Sequence, residues 1–506
     1  MTTRPHQKAS DPLAVNLPII LLVAALLLVQ CAAAAPIIVA ASDSNPAAKA
    51  RADYACDGLD DQVEIQAAFD ALPSGGTVGL TEGTFNCSGS LVPAAKTTLL
   101  GEGPDRTSLE FSRNGLLNVS EENVTLDGFH VTGSHYVNTS TNTTLDLTRW
   151  HGVVTIYASH AKVQNVTGTA DASIQAVFLL LHNPNVYAPV LEDIEFVDCR
   201  AVDTGTYGFL HNAWGSENTT IRDVRYENCS AINCGSAGAF NQWVTGFNFA
   251  ELNDIEGLRV TDCIAEGNLE SGFHFEWDPG KRDCVFTDCV SRNNGRKPYP
   301  DDYLVGDPDF FGAGFYLPGG EVALVNCRAE GNGAFGFYVI NPEGMLLYNC
   351  TESETGRGQA SSAKPISYCI LQSLPVSRNP SIVMDHCRSI GSHGWGLFLC
   401  GTENALIRNF TMTDPAGIDG VGAMLGCPSH ELPVNSTIDA GISSSTIDLT
   451  ASGDRPQTLI SIVDNRNVTY SGRIVSDAPR PVAVEWTSEG GADLTALEVL
   501  PASSTA

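Results

Sequence analysis

Basic residues are scarce in this 506-residue chain: 28 Lys and Arg stand against 58 Asp and Glu, for a formal net charge of −30. A surface so dominated by one sign repels phosphate backbones and anionic membranes, which excludes nucleic acid as a partner. Helical periodicity is almost absent, which excludes a helical bundle. Long apolar runs are missing too, with one exception at the N-terminus. There Arg4, His6 and Lys8 precede an apolar run from Leu17 to Val29 that continues through small residues toward Ala41. A basic start, an apolar middle and small residues at the end describe an export signal, and the run is also long enough to span a bilayer if it is never removed. Residues 1–42 are therefore expected to be a signal peptide or a membrane anchor, and the protein to be secreted or held at the cell surface.

What is present is a repeat. A few β-prone residues, then Asp, Asn or His, then Cys, recur at Cys199, Cys229, Cys263, Cys289, Cys327, Cys350 and Cys387. The steps of 30, 34, 26, 38, 23 and 37 residues suit a coil whose corners carry loops of varying length. A second apolar strand led by Gly or Ala follows most of these cysteines: Gly208-Phe209, Ala239-Phe240, Gly272-Phe273, Gly314-Phe315, Gly336-Phe337 and Gly396-Leu397. Two registered strands per repeat predict an all-β, right-handed parallel β-helix solenoid. A solenoid grows along one axis, so a single long domain accommodates the length.

Fifteen cysteines in an exported chain invite a disulfide framework. The repeat points instead to a stack of unbonded thiols along the coil axis, filling the interior as small apolar groups. Val166, Phe410 and Val468 are expected at the same rung, and the pairs Cys56 with Cys87 and Cys284 with Cys289 stay open. Twelve Asn-x-Ser/Thr sequons are possible glycan sites, although Asn228 and Asn349 fall inside the repeat and suit a corner ladder better.

Residues 43–111 read as an N-terminal cap with the first coils. Asp60 and Asp61 offer N-caps, and Ile65, Ala68, Phe69 and Leu72 lie on one helical face, which predicts a short helix covering the open end of the solenoid. The order Cys56-Asp57-Gly58, Asp60-Asp61, Ile65-Gln66-Ala67-Ala68, Gly75-Gly76-Thr77-Val78, Gly83-Thr84-Phe85 and Leu99-Leu100-Gly101-Glu102-Gly103 resembles the opening of the pectate-lyase-like β-helix superfamily, in the version found in exported archaeal surface proteins. The resemblance implies a surface or secreted protein that binds or acts on polysaccharide or the cell envelope; the superfamily holds lyases, hydrolases, epimerases, tailspikes and non-catalytic proteins alike. The chain departs from its catalytic signatures. There is no polygalacturonase set, Ser392-His393-Gly394-Trp395-Gly396 half matches Gly-His-Gly, and Phe275-Glu276-Trp277-Asp278-Pro279-Gly280 approaches the epimerase block without its histidine.

Strand alternation selects the candidate site. In residues 273–278 the aromatics alternate with His274, Glu276 and Asp278, which are expected to point outward together. Carboxylates two residues apart on a strand lie about 6.6 Å apart, compatible with glycoside hydrolysis. Lys281 and Arg282 follow and could act as a base or bind a uronate in a lyase. Aligning the other coils puts Asn241, Tyr316 and Tyr338 in the column of His274, and Asn212 and Trp243 in that of Glu276, an exposed strip suited to stacking sugar rings. The insertion 292–312 could cover it. Its Asp301, Asp302, Asp307 and Asp309 could hold Ca²⁺, without a known loop spacing; no other cofactor or metal site is expected. Residues 112–414 are read as the repeats, 415–500 as last coils or a small β cap, and 501–506 as a disordered tail. The expected function is binding, with cleavage by a lyase or hydrolase, of an extracellular polysaccharide; the alternative is a non-catalytic structural or adhesive surface protein. The oligomeric state stays open.

Overall fold

The computed structural model describes residues 35–112, 115–134, 151–183, 190–213, 219–236, 238–249, 254–276, 280–297, 312–357, 364–372, 378–426, 441–485 and 491–502. Ile37–Ala506 is one unit, a right-handed parallel β-helix. The coil around Cys199 shows the pattern, with strands Val190–Val197, Arg200–Val202 and Tyr207–Ala213. The first two belong to one sheet and the third to a second sheet. Each pairs in parallel with its counterpart one coil on: Thr220–Glu227, Ser230–Ile232 and Phe247–Phe249.

Backbone geometry explains the repeat. The residue before each repeat cysteine is left-handed: Asp198, Asn228, Asp262, Asp288, Asn326, Asn349 and His386 all have φ between 52° and 57°. Asp, Asn and His are the side-chain-bearing residues that tolerate this region best, so they mark the corner between the two strands of the first sheet. Their side chains then bond from coil to coil, Asn326 Nδ2 donating to Asp288 Oδ1 at 3.1 Å and Asn349 Nδ2 to Asn326 Oδ1 at 2.8 Å. Four residues after each cysteine comes another left-handed corner, at Asp203, Asn233, Gly267, Asn293, Gly331, Glu354 and Gly391.

The interior follows from the same register. All seven repeat cysteines are buried and unbonded, as are Cys56, Cys87 and Cys284. Their thiols donate to carbonyls of the coil, as Cys229 Sγ does to Phe196 O at 3.4 Å. Phe410 continues the column, but Val468 does not: the pairing runs from Phe410 through Leu449 to Gly472. On the second sheet Phe178, Phe209, Phe247, Phe273, Phe315, Phe337 and Tyr368 stack face to face, with centroids 4.6–5.1 Å apart. Asn268, Asn294 and Asn332 form a buried amide ladder at the turn between the sheets.

The cap has two short helices, α1 (Pro46–Lys49) and α2 (Gln62–Asp70). Ile65, Ala68 and Phe69 of α2 are buried, as their spacing predicts. Asp61 precedes α2 without capping it; its carboxylate instead accepts from Gly58 N at 2.8 Å and Asn86 N at 2.7 Å, tying the cap to the first coils. At the other end Val421–Leu425, Thr458–Val463 and Arg480–Glu485 extend the second sheet, and Thr446–Ser452, Arg466–Val475 and Gly491–Leu500 extend the first in parallel, so this part consists of further coils. Among the described residues no helix is long and apolar enough to cross a membrane. Of the expected signal or anchor, residues 1–42, the stretch 1–34 lies outside the described residues, while Ile37–Ala40 is a strand of the first sheet, paired with Tyr54–Ala55 and Gly76–Leu80, and so belongs to the cap.

Candidate functional site

The outer face of the second sheet carries one residue per coil in a continuous column. Register gives Leu179, Leu210, Asn248, His274, Tyr316, Tyr338, Cys369, Phe398 and Met424 in order. The polar members meet where Asn248, His274 and Tyr316 adjoin. Phe273 and Phe275 point into the core on either side of His274, so alternation drives the imidazole outward, as expected. The ring lies 4.6 Å from that of Tyr316, and its Nε2 is 3.3 Å from Glu276 Oε1.

Glu276 is the open member of this group, with 37% of its side chain exposed. Desolvation pushes its carboxyl up, but the hydrogen bond and charge of His274, the charge of Lys281 and the amide of Asn248 outweigh this and hold it below the usual carboxylate range. The Tyr316 hydroxyl is pushed up by burial and then by the negative charges of Glu276 and Glu270. Glu270 is a buried carboxylate that the sequence reading missed. It accepts from Gly312 N and lies 3.9 Å from Lys297 Nζ. Two carboxylates thus act on Tyr316.

Several expected residues stand elsewhere. Tyr316 and Tyr338 are buried, at 3% and 1%, and do not form an exposed strip. Together with Phe335, Trp395 and Phe398 they form a second apolar cluster outside the coil. Asn241 and Trp243 belong to a turn, not to the strand. The coil of Cys229 enters the second sheet at Phe247–Phe249, so Asn248 takes the place assigned to Asn241. Trp243 is exposed at 41%, and Asn241 Oδ1 accepts from its backbone amide at 2.9 Å. Asn212 does lie on the outer face, pairing with Leu181.

Lys281 and Arg282 sit beyond the corner, on the first sheet. Lys281 continues the inward column of Ile255, is buried, and holds Nζ 5.9 Å above the Phe275 ring. Gly320 makes room for it: a Cβ there would come 2.4 Å from that of Lys281. Arg282 ends an outward ladder of alternating charge, Glu192, Arg222, Glu256, Arg282, and pairs with Glu256 at 3.5 Å. It is a surface ion pair remote from Glu276's face. Asp278, with its expected carboxylate pairing, and Asp301, Asp302, Asp307 and Asp309, with their expected calcium site, lie outside the described residues.

Among the described residues one group, Cys56, Asp61 and Glu64, brings three ligand-type atoms within 4.8 Å of one another. Both oxygens of Asp61 already accept backbone amides, so that carboxylate has a structural task.

No protein-family model and no curated protein matches the chain. Solved structures do resemble it. The A-module of the Azotobacter vinelandii mannuronan C-5 epimerase AlgE4 is 15% identical, with 85% of this chain and 96% of that one covered and a TM-score of 0.38. The catalytic domain of a GH87 α-1,3-glucanase in complex with tetrasaccharides is 12% identical over 85% of this chain and 67% of that one, with a TM-score of 0.36. The Dettilon tailspike protein is 11% identical over 89% and 68%, with a TM-score of 0.39.

Proposed function

We propose that this chain is an exported or cell-surface β-helix protein, of the archaeal pectate-lyase-like kind, that binds an extracellular polysaccharide along the outer face of its second sheet and cleaves it with Glu276 as base. One observation carries the reading. A half-exposed carboxylate is kept ionised by His274, Asn248 and Lys281 while standing beside a phenol kept protonated by burial and by two carboxylates. A carboxylate that stays ionised and open to solvent is a base that cleavage of a glycoside can use, whereas the buried phenol holds its proton too tightly to give it up. In hydrolysis Glu276 would activate water or attack the sugar carbon; in elimination it would take the proton beside a uronate carboxyl.

The test is to incubate the full chain with neutral and acidic polysaccharides, with and without Ca²⁺, following reducing ends and the ultraviolet absorbance of unsaturated uronates. New absorbance identifies a lyase, and reducing ends without it a hydrolase. Absence of both across the panel favours the second reading, a non-catalytic structural or adhesive protein. That reading draws on the burial of Tyr316, Tyr338 and Phe398, which withdraws most of the aromatic column from solvent.

A further inference from the structure

A cavity of about 300 Å³ opens at the corner that follows the second sheet, far toward the N-terminal end of the coil, lined among others by Ser120, Glu121, Glu122, Tyr157 and Ser159. Its position is tied to Glu276 by register. Leu180 pairs with Ile156, so Tyr157 stands opposite Leu181, and Leu181 pairs with Asn212. Leu210 pairs with Asn248 and Phe249 with Phe275, so the same run of second-sheet strands leads to the strand that Glu276 follows. Tyr157 and Glu276 each follow the end of a second-sheet strand, and those strands are four spacings apart, roughly 19 Å along the axis.

The cavity has the parts of a sugar site. The Tyr157 hydroxyl is bonded to His151 Nδ1 at 2.8 Å, which fixes the ring that forms one wall. A fixed aromatic face receives the C–H face of a pyranose at little entropic cost. Glu121 and Glu122 are exposed, and among the described residues neither is paired with a cation. His160, on which Glu122 also acts, is paired with Asp193 at 2.9 Å. Their oxygens are free to accept from hydroxyls, whereas a carboxylate brought into the same space meets two like charges and the field of a chain carrying −30.

We propose that this cavity is a distal subsite for an uncharged sugar residue, so that the polymer bound by the chain is a neutral glycan. The inference rests on the Glu276 face being a polysaccharide site, and it adds the substrate class. The neutral ring stacks on Tyr157, its hydroxyls donate to Glu121 and Glu122, and the polymer extends along the coil axis toward Glu276.

The experiment is affinity electrophoresis of the full chain in gels containing neutral polymers (β-glucan, mannan, α-glucan) or acidic ones (polygalacturonate, alginate), at physiological salt. A neutral polymer should retard the protein. Tyr157→Ala should weaken that retardation about tenfold, the effect of losing one stacking contact. Tyr157→Phe, which keeps the ring, should stay within about threefold and shows that the first loss is not one of folding. The double substitution Glu121→Gln with Glu122→Gln should let acidic polymers bind that the parent chain rejects. Retention of parental affinity by Tyr157→Ala, acidic polymers binding the parent at least as well as neutral ones, or no retardation by any polymer each overturns the subsite. Glu276→Gln separates the two claims. If it keeps full turnover while Tyr157→Ala loses binding, the base is misassigned and the subsite stands; the converse removes the subsite alone.

Discussion

Replacing Asn294 by Ala should open one coil while leaving the rest of the solenoid in place. Asn294 is 1% exposed, and its Oδ1 accepts from Asn268 N at 3.0 Å and from Asn268 Nδ2 at 2.8 Å. Its Nδ2 donates to Ala265 O at 3.0 Å, Ser291 Oγ at 2.9 Å and Asn332 Oδ1 at 3.1 Å. After the substitution Asn268 Nδ2 keeps Ala231 O, and Asn332 Oδ1 keeps the Asn294 amide. The Asn268 backbone amide loses the acceptor that Asn294 supplied. A buried orphan amide costs about 1–3 kcal/mol and the remaining lost bonds about 1 kcal/mol more, for a total of about 2–4 kcal/mol. Coils of a solenoid share stability with their neighbours, so the loss should be local. Amide hydrogen exchange of the peptides spanning residues 260–297 should therefore accelerate about 30-fold to several hundredfold, with the coils beyond residue 380 unchanged. Asn349→Gly is the control: its ladder is exposed and its φ of 52° suits glycine, so the change should stay under about 1 kcal/mol. Exchange in 260–297 within threefold of the parent would refute the ladder's role.

The cysteine column predicts that none of the seven repeat thiols reacts with an alkylating reagent in the folded protein, and that all do so after unfolding; peptide mapping checks this, and rapid native labelling of Cys327 would contradict the packing. Glu352 is an inward carboxyl whose pKa burial pushes up to about 7, partly offset by hydrogen bonds from Ser367, Thr355 and Ser389. The folded state then holds a proton that the unfolded state releases above its ordinary pKa. This acid's contribution is therefore full below about pH 4.5 and declines as pH rises to about 7, by roughly 3 kcal/mol in all. Glu352→Gln should accordingly raise the unfolding midpoint at pH 8 and change it little at pH 4; equal effects at both would refute the burial of an ionisable group there.

Much of the architecture was legible because backbone geometry dictates side-chain type. Asn326, Asn349 and His386 advertise left-handed corners, and the cysteine after each must fill a narrow interior rung. The coil of Cys229 is ambiguous in sequence because Ala239-Phe240 and Gly246-Phe247 both satisfy the same short pattern; only pairing with Phe209 distinguishes them. That ambiguity displaced Asn241 and Trp243 into the site and hid Asn248. Alternation sent His274 and Tyr316 to the outer face, but alternation says nothing about what lies against that face, so their burial was not legible. Arg282 is close to Glu276 in sequence, yet the corner turns it onto the other sheet, where its partner is Glu256. Glu270 and Lys297 lie at turns outside any repeat, and their ion pair leaves no pattern in the chain.

The central claim is tested most directly by comparing turnover of the full chain with that of Glu276→Gln and Arg282→Ala on whichever polysaccharide yields product. Each variant is first matched to the parent by circular dichroism. The account predicts loss of at least about a hundredfold in kcat for Glu276→Gln, in the range expected for a general acid or base, and parental kcat for Arg282→Ala. A Glu276→Gln protein that turns over at the parental rate would contradict it.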